Sequence, residues 1–201
     1  SPAGQPFKMY IVSADGGIPQ ELAPKEPAQL DPEWTSDGNS IIFGESPLGQ
    51  LGATHTHGLH LLDLKTGQIS IIPGSENLWS PRISPDGKYV AGIYADNRRL
   101  MLFDLATHKA AELVKGTGVS WPEWSGNSKD IYFVLERPNT PSGRYRIQIA
   151  DRKLEMVESY KDARLTGDTF GNWYGLAPDN SPLILRDAAT QEIYALDWEA
   201  P

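Results

Sequence analysis

The 201-residue chain contains no cysteine. Disulfides, thiolate-held zinc and cysteine nucleophiles are thereby excluded, although the compartment is not fixed by that absence. No apolar run approaches the roughly 20 residues that span a bilayer as a helix, and no signal-peptide pattern opens the sequence. Basic clusters are missing too. Lys and Arg number 18 against 26 Asp and Glu, a net charge of −8. That balance argues against nucleic acid or an anionic membrane surface as the partner. Catalytic signatures are equally scarce: there is no G-x-S-x-G elbow, no phosphate-binding G-x-x-x-x-G-K-[ST] loop and no H-E-x-x-H zinc helix. "ADNRR" (95–99) has the wrong spacing and too much positive charge for a calcium loop. Carboxylates are scattered through turns rather than paired for acid–base work. No catalytic residue, metal set or cofactor is therefore assigned, and the chain is expected not to be an enzyme.

What the chain has in quantity is punctuation. Its 16 prolines and 19 glycines are spread along the whole length, and no window keeps a helical period. A repeat emerges instead. "PEWTSDGNSIIF" (32–43), "PRISPDGKYVAG" (81–92), "PEWSGNSKDIYF" (122–133) and "YGLAPDNSPLIL" (174–185) align without gaps. Each has a large apolar residue third (Trp34, Ile83, Trp124, Leu176), then a polar turn, then an apolar run. A second element follows, clearest in "LHLLDLKTGQISII" (59–72) and "LMLFDLATHKAAEL" (100–113). The recurrence falls near the 40–50 residues of a propeller blade. Asp-Gly, Thr-Gly and Gly-Gly pairs supply the positive-φ residues that tight hairpins require.

Each unit therefore reads as four short antiparallel strands, a to d, with a at Trp34, b at 40–45, c at 59–64 and d at 68–73 in the first full copy. One such sheet cannot bury both faces, whereas copies stacked around an axis can. The expected fold is all-β, a β-propeller of four-stranded antiparallel blades, about four of them present. A β-sandwich is the alternative that short strands and regular turns also allow. The expected divisions are strands c–d of a preceding blade at 7–23, blade one at 30–73, blade two at 79–114, blade three at 120–159, and strands a–c of a last blade at 172–198. This inventory leaves two candidates for one strand c position if the ends pair. An arc of a larger ring, or a ring completed by a second copy of the chain, is the expected outcome.

At these repeats the sequence resembles the WD40-like, TolB-type bacterial β-propeller family, whose unit has the shape P-x-W-S-P-D-G-K-x followed by an apolar run. "SPRISPDGKYVAG" matches nearly letter for letter, while "YGLAPDNSPLIL" keeps only Pro178-Asp179. The resemblance implies a protein- or peptide-binding or sensing role, in the periplasm or cell envelope rather than the cytoplasm. Accessory propellers of peptidases, or ones that bind a small ligand or metal, are its other context. The linker-like "SPAGQPF" start and the "IYALDWEAP" end are expected of the C-terminal part of a larger regulatory or envelope protein.

Binding residues are sought on the face shared by the d–a and b–c loops. Trp79, Trp121 and Trp173 precede successive strands a. They read either as an amphipathic rim for a protein or peptide or as packing between blades. Two b–c insertions are expected on the same face: "SPLGQLGATHTHG" (46–58), which carries His55 and His57, and "RPNTPSG" (137–143), which carries Arg137 and Asn139. His55, His57 and His60 crowd together, but on a strand residues three apart face opposite sides, which weakens a three-histidine metal site. Asp37 and Asp86 are expected to bond backbone amides of their own turns, and Trp34 and Trp124 to lie in inter-blade core.

Overall fold

The computed structural model describes residues 7–25, 29–45, 58–168 and 171–189. It is all-β, and no helix occurs among the described residues. Three antiparallel sheets of four strands form the body. The first holds β3 (Leu30–Trp34), β4 (Ser40–Gly44), β5 (His60–Asp63) and β6 (Ile69–Ile71). The second holds β7 (Leu78–Ile83), β8 (Tyr89–Tyr94), β9 (Arg99–Asp104) and β10 (Lys109–Lys115). The third holds β11 (Gly118–Trp124), β12 (Asp130–Arg137), β13 (Thr140–Gln148) and β14 (Leu154–Ser159). In each, hydrogen-bonded order follows chain order.

Half-sheets stand at both ends: β1 (Met9–Ile11) with β2 (Gln20–Leu22), and β17 (Tyr174–Leu176) with β18 (Pro182–Ile184). A two-residue ladder, β15 (Gly167–Asp168) with β16 (Gly171–Asn172), precedes the latter. The two half-sheets are not joined to each other among the described residues, which form a partial β-propeller.

The repeat letters explain the local structure. At the a–b turns a hydroxyl donates to the carboxylate or amide oxygen two residues on: Thr35 to Asp37 at 2.6 Å, Ser84 to Asp86 at 2.7 Å, Ser125 to Asn127 at 2.8 Å. The amides of Asn39 and Lys88 then donate to Asp37 and Asp86, as expected of turn residues. Those bonds hold Asp37 down to about 2 and lower Asp86. The left-handed turn position is taken by Gly38, Gly87, Ser128 and Asn180 in turn.

A second regularity was not foreseen. Strand a of every four-stranded sheet breaks register before its proline, between Leu30 and Glu33, Trp79 and Arg82, and Ser120 and Glu123. Asp31, Ser80 and Trp121 there have φ of 48°, 50° and 54°. Proline donates no ladder bond, so a bulge is where a strand accommodates it. The motif letter Pro32, Pro81 or Pro122 thus encodes a bulge.

Sheets stack through one apolar seam each. Met9, Ile41, Phe43 and Leu62 join the N-terminal half-sheet to the first full sheet. Ile42, Leu59, Leu78, Val90 and Phe103 fill the next seam, and Leu100, Val119, Ile131, Phe133 and Tyr145 the one after. Trp124 behaves as expected, donating its indole N–H across a seam to the Arg82 carbonyl at 2.8 Å. Trp34 does not. It is 49% exposed, over a cleft of about 250 Å³ that Met9, Tyr10 and Leu22 also line. Among the described residues the half-sheet before it consists of β1 and β2 alone, and neither supplies the carbonyl that Trp124 finds.

Candidate functional site

In an antiparallel a–b–c–d sheet the b–c and d–a connections lie at one end. Hydrogen bonds tie them together here. Trp79 Nε1 donates to Asn97 Oδ1 at 3.0 Å, from strand a to the b–c turn of the same sheet. The amides of Gly116 and Val119, which bracket the next d–a junction, donate to the carbonyls of Arg98 and Asn97, both at 2.8 Å. The b–c turn of the second sheet is thereby tied to the d–a junction that follows it.

The three tryptophans take different positions at this end. Trp79 is half-buried and held by Asn97. Trp121 is half-buried against Val134, Tyr160 and Tyr174. Trp173 is 45% exposed, its ring lying over Gly175, where a Cβ would come within 2.8 Å of it. Trp121 and Trp173 occupy matched repeat positions, whereas Trp79 sits one residue earlier, so its side chain leaves the strand on the other face.

The expected "RPNTPSG" loop is instead two longer strands. Arg137 pairs with Thr140, leaving a two-residue turn of Pro138 and Asn139, with Asn139 at φ 59°. Strand pairing continues to the hairpin tip because Asn tolerates the left-handed turn position. Arg137 and Asn139 are both exposed there, and the Arg137 guanidinium lies 5.8 Å from the centre of the Tyr145 ring. His55 and His57 lie outside the described residues. His60 is buried at the start of β5, stacked on Phe43 with Nε2 3.1 Å from Glu45 Oε1.

The axial side of the bulges carries charges that were not singled out from the sequence. The residue after each bulge proline is Glu33, Arg82 or Glu123, and Arg82 Nε lies 4.0 Å from Glu33 and 3.7 Å from Glu123. One guanidinium thus bridges two carboxylates, one from each of the sheets on either side of its own. Burial raises both glutamates above the ordinary range; Arg82 opposes the shift, and their mutual repulsion adds to that of Glu33. The available signal was the Glu, Arg, Glu alternation at one repeat position.

These carboxylates set a pH dependence of opposite signs. The raised Glu33 and Glu123 cost stability when charged, and that cost is relieved as pH falls toward their ordinary value of 4.5. Asp37, Asp63, Asp86, Asp104 and Asp179, all lowered by hydrogen bonds, stabilise above their unfolded value of 3.8, and this is lost as pH falls below it, for Asp37 down to about 2. Melting temperature followed against pH is expected to hold or rise from pH 7 to about 5, then fall steeply below about 4.

No protein-family model matches the chain. The Tol-Pal system protein TolB of Francisella tularensis is 28% identical over 116 residues, covering 55% of this chain and 25% of that protein. The uncharacterized peptidase YuxL of Bacillus subtilis is 26% identical over 142 residues, covering 68% of this chain and 21% of that protein. The crystal structure of TolB from Acinetobacter baumannii shares the fold with a TM-score of 0.68 at 20% identity, over 94% of this chain and 45% of that one. The chain thus spans about a quarter or less of the two curated relatives and under half of the solved TolB. Its repeat letters, its three stacked four-stranded sheets and these likenesses together give the chain the β-propeller fold, similar to that of TolB.

Proposed function

We propose that this propeller is a non-catalytic module that presents its b–c and d–a loop face to a protein or peptide, within a larger bacterial regulatory or cell-envelope protein. The observation that carries this reading is the rim itself. Its b–c and d–a segments are cross-tied by hydrogen bonds, while Arg137, Asn139 and Trp173 are left exposed. Aromatic and arginine side chains on a rigid frame are what protein interfaces select, because they bring contact area with little entropy to lose. A TolB relative named for the Tol-Pal system supports a protein partner.

The match to a protein named as a peptidase favours a second reading, an accessory propeller beside a hydrolase domain. The two differ in what the rim does for a partner in solution. Replacing Arg137, Asn139 and Trp173 together by alanine is expected to leave the melting temperature within about 2 °C, since exposed substitutions cost little. The same variant is expected to lose at least tenfold in affinity for a protein that wild type captures from an envelope extract. Unchanged capture by the variant would remove this face from the function.

A further inference from the structure

The last seam is built unlike the others. Val134, Tyr160 and Tyr174 are its only fully buried apolar side chains among the described residues, with Trp121, Ala163, Leu165 and Ile184 partly buried around them. Tyr160 stacks on Tyr174 with ring centres 5.0 Å apart. Inside the same seam lies Arg144 on β13, with no exposed surface at all.

None of the three side-chain nitrogens of Arg144 makes a well-formed hydrogen bond, and the Tyr160 hydroxyl is the group closest to supplying one. The Tyr160 hydroxyl and Glu158 Oε2 are orphaned in the same way. Arg144 and Glu158 face each other in register across β13 and β14, yet no ion pair joins them among the described residues. The register shift just beyond this pair and the tight approach of Gly143, where a Cβ would lie 2.3 Å from the Glu158 carbonyl oxygen, fix that arrangement. Tyr160, Glu123 and Glu158 stand near enough to favour its charge, but burial outweighs them, so the guanidinium opposes the closure that buries it, whereas water would satisfy it at once. Burial also holds the guanidinium below its ordinary range and the Tyr160 phenol above its own.

We propose that the β17–β18 hairpin is a breathing element that lifts from the third four-stranded sheet as a unit, and that Arg144 is the residue that keeps this seam weaker than the other three. Lifting gives Arg144, Tyr160 and Glu158 their missing partners in water and separates the Tyr160–Tyr174 stack. Trp121 and Trp173 stand on opposite sides of the seam, so each opening also re-forms the aromatic part of the rim. Only that last consequence rests on the binding role proposed for the rim. The seam itself is testable without a partner.

Amide hydrogen exchange on the isolated chain provides the test. The ladder amides of Tyr174–Leu176 and Leu183–Ile184 are expected to exchange at least about tenfold faster than those of Tyr89–Tyr94, because sub-global opening exposes them together. Arg144→Met, which keeps the stem and removes the charge, is expected to slow their exchange by about tenfold and to raise the melting temperature. Equal protection of β17–β18 and β8 in the wild type, or faster exchange in Arg144→Met, overturns the proposal. Should Arg144→Met not fold, Tyr160→Phe decides, since it removes one orphaned hydroxyl and little volume. Slower β17–β18 exchange then supports the proposal, and unchanged or faster exchange overturns it.

Discussion

Phe133→Ala is expected to destabilise the protein by about 4 kcal/mol, among the largest effects of any single substitution. The ring has no exposed surface and sits between the second and third four-stranded sheets, with Leu100, Val119, Ile131 and Tyr145 around it. Removing it forfeits the transfer energy of the ring and leaves a cavity that stiff neighbouring strands close poorly. A domain of this kind has about 5–15 kcal/mol in all, so the melting temperature should fall by roughly 10 °C or more. Because each sheet touches only its neighbours, exchange protection should drop first on both sides of this seam and least in β3–β6. A loss below about 1 kcal/mol in denaturant melts would mean that the sheets do not depend on seam packing.

Arg82→Met should cost about 2 kcal/mol, through a different mechanism. The arginine side chain is 14% exposed, while Glu33 and Glu123 are 38% and 31% exposed. Losing one partner of a fully buried pair costs about 3–5 kcal/mol, and the partial exposure of these carboxylates discounts that figure. Two glutamates already raised by burial would then lose the cation they share, leaving Glu123 only the influence of Arg144. The defect should therefore shrink as pH is lowered from 7, because both carboxyls are raised and take up protons early, whereas a packing defect would be indifferent to pH. Thermal melts of both proteins at pH 5 and pH 7 separate these cases. A loss equal at the two values would show that Arg82 acts through its stem alone.

Much of the fold was legible in the sequence because the repeat states its rule several times. Ser84-Pro85-Asp86-Gly87 spells a turn whose hydroxyl, carboxylate and positive φ all serve one geometry, and the copies at Thr35 and Ser125 obey it with different letters. The bulge was equally encoded, by the proline in strand a, but a proline inside an apolar strand pattern reads first as a boundary. Trp34 was misread because its letter matches Trp124 while its surroundings do not. A repeat alignment assigns the same neighbours to every copy, and among the described residues the first full copy has only the β1–β2 pair before it.

The site was less legible, for a physical reason. Rim residues act through the loops of several sheets, and single-chain spacing does not say which indole finds a partner. Asn97 captures Trp79, Val134 and Tyr160 take Trp121, and only Trp173 is left largely outside. Nothing in "RPNTPSG" distinguished a loose loop from a strand pair closing on Pro138 and Asn139. Arg144 was passed over because a lone arginine in an alternating strand is ordinarily a solvated one.

Photo-crosslinking from single positions tests the binding face most directly. A benzophenone side chain would replace Asn139 or Trp173 on the rim, and Asn39 or Lys129 at the exposed a–b turns of the opposite end. After irradiation in an envelope extract, adducts to one protein from Asn139 and Trp173, with none from Asn39 and Lys129, are the expected result. Adducts from the a–b turns with none from the rim would contradict it.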